Sequence, residues 1–171
     1  MANSQPEPWL RGTLTDIDAV QRAVLHALQL AEEDIVKWCA DLTDAEINAR
    51  PFNLPPVAFH IRHIARSLDR LLSYAEGTQL DATQKAALSS ELALNATHNE
   101  VLNELHAALH SSADRIRAFS PEHFNAPHTV GRAALPTTLG GLLVHCADHT
   151  QRHVGQAVTT AKLLVAMRSS E

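Results

Sequence analysis

Cysteine is scarce in this sequence. Cys39 and Cys146 are the only two among 171 residues, too few and too isolated for a disulfide framework or a zinc ribbon. Both are expected to stay reduced, as in a cytoplasmic protein. Basic charge is also sparse: Lys and Arg total 14 against 19 Asp and Glu, for a net charge of −5. No Lys/Arg cluster occurs, so the basic footprint of a nucleic-acid binder is missing. No apolar run approaches the roughly 18 residues of a membrane-spanning helix. The first residues, MANSQPEPWLRG, lack the basic region and apolar stretch of a signal peptide. Strand-like alternation, internal repeats and low-complexity tracts are absent as well. The reading so far is a cytoplasmic globular protein with neither nucleic acid nor membrane as partner.

What is present is ordinary in bulk, with 45% hydrophobic and 19% charged residues, as in soluble globular domains. The length suits one domain over 1–171, large enough to bury a core without staples. Pro6, Pro8 and Gly12 mark 1–12 as an irregular lead-in, which Trp9 and Leu10 could pin to the body. From Thr13 the pattern changes. Ile17, Val20, Val24, Leu28, Ala31, Ile35 and Trp38 recur at steps of three and four and predict a first amphipathic helix over roughly 14–40, capped by Thr13 or Thr15. Thr43 opens a capping box for a short turn of helix. A second long helix follows Pro55 and Pro56, carrying Val57, Ile61, Ile64, Leu68 and Leu72 and ending at Gly77 as a left-handed cap.

Residues 78–96 are alanine- and leucine-rich, with room for a short helix whose limits the pattern does not define. Leu102, Leu105, Leu109, Ala113 and Ile116 predict a third long helix over about 95–118. Ser120 and Pro121 start a new turn, and 125–137 read as a loop or short extended piece. Thr137 or Thr138 then caps a fourth helix over about 138–166. Four such helices and no sheet predict an all-α four-helix bundle. The long connectors before the second and fourth helices permit crossover links instead of hairpins.

Histidine is the abundant residue, with 11 copies. His145, His149 and His153 follow one another at four-residue steps, so on a helix they climb one side a turn apart. Two imidazoles at that spacing can hold one metal ion, with a third ligand from elsewhere in the chain. Turning the fourth helix by about 100° per residue places His153 roughly 60°, His149 roughly 100° and His145 roughly 140° from the centre of the apolar stripe. His149 and His153 therefore flank the core, whereas His145 leans to solvent. His106 and His110 form a rival pair on the third helix, with no further histidine cluster tied to them. For the third ligand the second helix offers His60 and His63. The turning angle favours His60, at roughly 80° against roughly 140° for His63, and does not settle the choice.

The segments FHIRHIARSLDRLLSYAEG (59–77) and LPTTLGGLLVHCADHTQRHVGQAVTTAK (135–162) resemble the DinB-like, YfiT-like superfamily of bacterial four-helix proteins, which includes thiol-dependent transferases. The resemblance implies a metal site made from one histidine of an H-I-A-R-S stretch, His63 in this chain, and the pair His149 and His153 of H-T-Q-R-H-V-G-Q. His60 stays the fallback, and a kink near the helix end would reconcile His63 with the turning angle. The resemblance also implies a homodimer.

Three neutral imidazoles leave a divalent ion open to another ligand. Zinc or nickel suits such donors, with iron or manganese as further options. No glutamate follows His145 or His149 as it would in a zinc protease, since Cys146 and Thr150 stand there. Asp148 projects away from the stripe, Cys146 reads as a small buried residue, and Arg66 and Arg70 read as exposed-face charges. Arg152 and Gln156 could orient ligands or substrate. Two functions are expected. One is a metal-dependent enzyme of the thiol-transferase or hydrolase type, acting on a small molecule such as a low-molecular-weight thiol. The other is a non-catalytic metal-binding or stress-associated dimeric interaction protein.

Overall fold

The computed structural model describes residues 5–92 and 95–168. In chain order these form α1 (Ala19–Cys39), α2 (Asp44–Ile47), α3 (Val57–Ala75), α4 (Ala82–Ser89), α5 (His98–Ala118), the strands β1 (Pro127–Val130) and β2 (Leu135–Thr138), and α6 (Leu139–Arg168). The four long helices are α1, α3, α5 and α6, and they make the all-α bundle that the apolar periodicity predicts. The extended piece resolves into a small antiparallel hairpin that pairs Pro127 with Thr138 and Val130 with Leu135.

Local chemistry explains most of the boundaries. Capping boxes open α2 at Thr43 and Glu46, α4 at Asp81 and Gln84, and α5 at Thr97 and Glu100; each satisfies two amides that the first turn leaves without partners. Thr138 accepts from the Gly141 amide at 3.0 Å at the start of α6. Gly77 closes α3 at φ 75, the left-handed conformation that glycine adopts without steric cost. Gly140 serves a close approach instead: a Cβ there would lie 3.1 Å from the Phe124 carbonyl oxygen.

The start of α1 departs from the expected one. The helix begins at Ala19 and is capped by Asp18, which accepts from the Val20 amide at 2.9 Å, not by Thr13 or Thr15. Leu14 has φ 57, and that left-handed residue interrupts any helix begun earlier. The lead-in is also pinned differently. Trp9 and Leu10 are exposed while Pro8 is buried, and Arg11 reaches α1 through two bonds of 2.7 Å to the Glu33 carboxylate.

One apolar cluster runs through the bundle, with Ile35 of α1, Ile61, Ile64, Leu68 and Leu72 of α3, Val101 and Ile116 of α5, and Leu143, Ala157 and Ala161 of α6 all fully buried or nearly so. Both α1 and α3 pack against α5 and α6. Hence α1 sits diagonal to α3, and α5 diagonal to α6. The α1–α3 and α5–α6 connections cross the bundle, which is why they need α2 and the β-hairpin as spacers. No helix among the described residues is long and apolar enough to cross a membrane.

Gln21 ties α1 to the end of α5. Its buried Nε2 donates to the carbonyls of Ile116 at 2.7 Å and Phe119 at 2.9 Å, at a helix end where carbonyls run short of amide partners; the Ile116 carbonyl also accepts the Phe119 amide at 3.4 Å. A Gln21→Leu substitution keeps the volume and removes both bonds. It should lower stability in urea unfolding by about 1–3 kcal/mol, the cost of stranding buried acceptors.

Candidate metal centre

The site lies where α3 and α6 pack side by side. Along α6, Leu143, Cys146, Thr150, Val154 and Ala157 point into the core, which turns His149 and His153 onto the flank that faces α3. From α3, His63 meets them. The ligand nitrogens of His63, His149 and His153 all lie within 4.8 Å of one another, the one such group among the described residues. His63 Nε2 is 2.9 Å from His149 Nε2, and the His63 and His153 ring centroids are 4.3 Å apart. Nitrogens bound tetrahedrally to zinc stand about 3.3 Å apart, given Zn–N bonds near 2.0–2.1 Å. The 2.9 Å nitrogen separation and the 4.8 Å outer limit lie on either side of that value, so the donor set suits one small divalent ion.

His60 lies nearer the core than His63, as its turning angle suggested, but it is not a member of the three-nitrogen group. It is the more deeply buried of the two α3 histidines, and its Nδ1 lies 3.1 Å from His153 Nδ1. Two nitrogens at that distance share one hydrogen, so His60 occupies one side of the His153 ring and leaves His153 Nε2 for a ligand. Meanwhile α3 is a continuous helix from Val57 to Ala75, and no kink is needed to bring His63 in. The buried stripe of α3 faces between α5 and α6, and the direction toward α6 alone is the margin of that stripe. His63 stands on this margin.

The remaining histidines fall outside the group. His145 pairs with Asp148 on its own helix at 2.9 Å. His106 faces Glu32 and His110 faces Asp114, both on exposed surface, and among the described residues no third donor converges on that rival pair. Cys146 and Cys39 are buried, and burial pushes both thiols up to about 12. Cys146 is therefore a packing residue and not a thiolate nucleophile.

Arg66 and Arg70 are not the exposed charges that the helix pattern suggested. Arg66 bonds Glu104 at 2.6 Å, the Ala87 carbonyl at 2.8 Å and Ser90 Oγ at 2.9 Å. Arg70 donates to Glu91 Oε1 at 2.6 Å. The segment around α4 covers this face of α3, and the sequence pattern did not delimit that segment. Glu91 is the residue that pattern reading misses. It is 5% exposed, and its Oε2 lies 2.7 Å from His63 Nδ1. Burial would raise the Glu91 carboxyl, but bonds from His63 and Arg70 outweigh it and hold the group below the usual carboxylate range. No motif marks it, because 28 residues separate it from His63.

Phe59 packs on the α3 side of the cluster, stacked on His63 with a 5.5 Å centroid separation. Beside it opens a hollow of about 470 Å³ lined by Leu54, Pro55, Phe59, His60, Arg152 and Gln156, among others. Volumes of this order hold small-molecule ligands. Phe52 and Asn53, which lead into Leu54, have φ 51 and 62, an uncommon conformation for non-glycine residues.

The sequence profile of the DinB superfamily matches residues 27–157, a span that takes in α3, α5 and the histidines of α6. This chain belongs to the DinB superfamily. A solved structure is similar in fold: a conserved protein from Enterococcus faecalis superposes with a TM-score of 0.72 over 88% of this chain and 99% of that one, at 21% identity. That likeness concerns the fold. Among curated proteins none matches this DinB chain significantly.

Three of the clustered imidazoles are hard to protonate. His60, His149 and His153 are each pushed from 6.5 to about 4, first by burial and then by the neighbouring histidines. A lowered histidine pKa means that the unfolded chain binds more protons than the folded one as pH falls through that window. Stability is therefore full above about pH 6.5 and is lost progressively toward pH 4. The metal-free protein should melt at a lower temperature at pH 5 than at pH 7.5, and a His149→Gln variant should show a shallower dependence on pH. Calorimetric scans across that range check both.

Proposed function

We propose that this chain holds a divalent metal ion through His63, His149 and His153 and works as a metal-dependent enzyme of the thiol-transferase or hydrolase type. The observation that carries the proposal is the convergence of three imidazole nitrogens within 4.8 Å of one another, with the fourth imidazole, His60, turned to His153 Nδ1 instead. Such a set leaves the ion a coordination position for a non-protein ligand, as catalytic sites do and closed structural sites do not. Imidazole donors favour zinc or nickel, and iron or manganese would also accept them. A bound ion would act as a Lewis acid that lowers the pKa of a coordinated thiol or water.

The protein's own residues favour the thiol reading. Among the described residues no free carboxylate stands beside the imidazoles to serve as a general base: Glu91 has both oxygens engaged, by His63 and Arg70, and Asp148 is taken up by His145 and Arg152. Cys146 is buried and protonated. The nucleophile is then best supplied by a second small molecule that is already acidic enough to ionise on the metal, and a low-molecular-weight thiol meets that need. Phe59, Leu54 and Pro55 give the adjoining hollow an apolar wall, and Arg152 and Gln156 give it a polar one. An electrophilic co-substrate would sit there. The homodimer implied by the family resemblance belongs to the same proposal, and light scattering at twice the mass of one chain would support it.

The test is elemental analysis of the purified protein followed by thiol-conjugation assays with and without a chelator. About one equivalent of metal is expected, together with loss of both metal and turnover in His149→Ala. Full occupancy in His149→Ala would overturn the assignment of the ligands. Metal bound at one equivalent without any turnover would favour the alternative of a non-catalytic, stress-associated binding protein.

A further inference from the structure

The face of α3 that carries His63 also carries Arg66 and Arg70, at spacings that align all three along one side of the helix. All three reach the same stretch of chain. Arg66 binds the Ala87 carbonyl and Ser90 Oγ, and Arg70 and His63 share the two oxygens of Glu91. One turn further on, Gln84 Nε2 donates to Asp69 Oδ2 at 2.7 Å and Ser73 Oγ at 2.8 Å. The stretch has little else to hold it. No residue of α4 is buried, and Leu88 and Leu92 are 50% and 55% exposed. Residues 82–91 therefore lie on α3 as a strap fastened by polar bonds, and its last fastening is a candidate metal ligand.

We propose that Glu91 is the positioning residue of the metal centre: its carboxylate fixes the ring of His63 with hydrogen on Nδ1 and the Nε2 lone pair toward His149 and His153, and so couples metal binding to docking of the 82–91 strap. The proposal rests on the three-histidine site above. A carboxylate is an acceptor only, so the 2.7 Å contact requires the hydrogen on Nδ1. That tautomer leaves Nε2, the nitrogen 2.9 Å from His149 Nε2, as the donor to a metal. Carboxylate partners of this kind raise the basicity of a ligating imidazole and hold its orientation. Arg70 completes the arrangement by binding the other oxygen of Glu91, which keeps a 5% exposed carboxylate charged and aimed. Coupling is reciprocal by thermodynamic necessity. An ion on His63 Nε2 makes the Nδ1–H a stronger donor to Glu91, so loading the site must tighten the strap.

The experiment uses the full chain and compares wild type with Glu91→Gln, Glu91→Ala, Arg70→Gln and His149→Ala. Zinc affinity is read by competition with a chromophoric chelator, and amide hydrogen exchange over residues 82–91 is read with and without zinc. Glu91→Ala should weaken zinc by about 10–100-fold. Glu91→Gln, which keeps an acceptor without the charge, should fall between it and wild type. Arg70→Gln should weaken zinc in the same direction without touching His63 or Glu91. Zinc should slow exchange in the strap of wild type and leave it unchanged in Glu91→Ala. A ring-nitrogen NMR spectrum of metal-free wild type should show the Nδ1–H tautomer of His63, a signature that a purely structural Glu91 would not require. Wild-type zinc affinity in Glu91→Ala, with His149→Ala unable to bind, would overturn the role of Glu91 and leave the three-histidine site standing. Failure of wild type to bind zinc, nickel, iron or manganese would overturn both.

Discussion

The close side-by-side packing of α3 on α6 is the constraint on which everything at the site depends. His63 belongs to one helix and His149 and His153 to the other, and no local feature of either chain segment brings them together. What brings them together is burial of Ile61, Ile64 and Leu68 on one side and Leu143, Val154 and Ala157 on the other. Each large side chain so buried contributes roughly 1.5–3 kcal/mol. That apolar seam fixes the separation of the helices. Four histidines stand at its margin, and three of them, His60, His149 and His153, are held toward the neutral form because the same packing removes water from them. Polar cost at the cluster is thus offset by apolar gain next to it.

The four histidines differ in work because they differ in depth. His60 is the deepest and spends its Nδ1 on His153, while His63 lies nearer the edge and has Glu91 on one nitrogen and His149 on the other. Around them the charges are committed: Glu91 to Arg70, Glu104 to Arg66, Asp148 to His145 and Arg152. A site built this way is rich in neutral donors and poor in free acids and bases. Its chemistry is then the chemistry of whatever ion and small molecules it receives, which is why the donor geometry carries more functional weight here than the bundle fold does.

Much of this was legible beforehand. The 3.6-residue periodicity located all four long helices, the capping boxes at Thr43 and the left-handed cap at Gly77 stood where the residue types require them, and the HxxxH spacing put His149 and His153 on the inward flank. The start of α1 was misplaced because apolar spacing continues upstream through Ile17, while the backbone at Leu14 turns left-handed. Arg66 and Arg70 were misread as exposed because angular position on a helix says nothing about a segment that folds over that face from elsewhere in the chain.

By itself, then, the sequence determined what short-range physics can encode: the periodicities, the caps, the paired imidazoles a turn apart, and through its motifs the family. The turning angle could not say which α3 histidine joins that pair, where the family resemblance names His63, since a 100° turn measures distance from the stripe centre and the centre of the α3 stripe points between α5 and α6, not at α6; the tertiary structure brings His63 to the pair. It alone revealed Glu91, because a carboxylate 28 residues from the imidazole it binds leaves no spacing to read. Contacts between elements depend on where whole helices come to rest, and that is set by the summed burial of the core and not by any residue's neighbours in the chain.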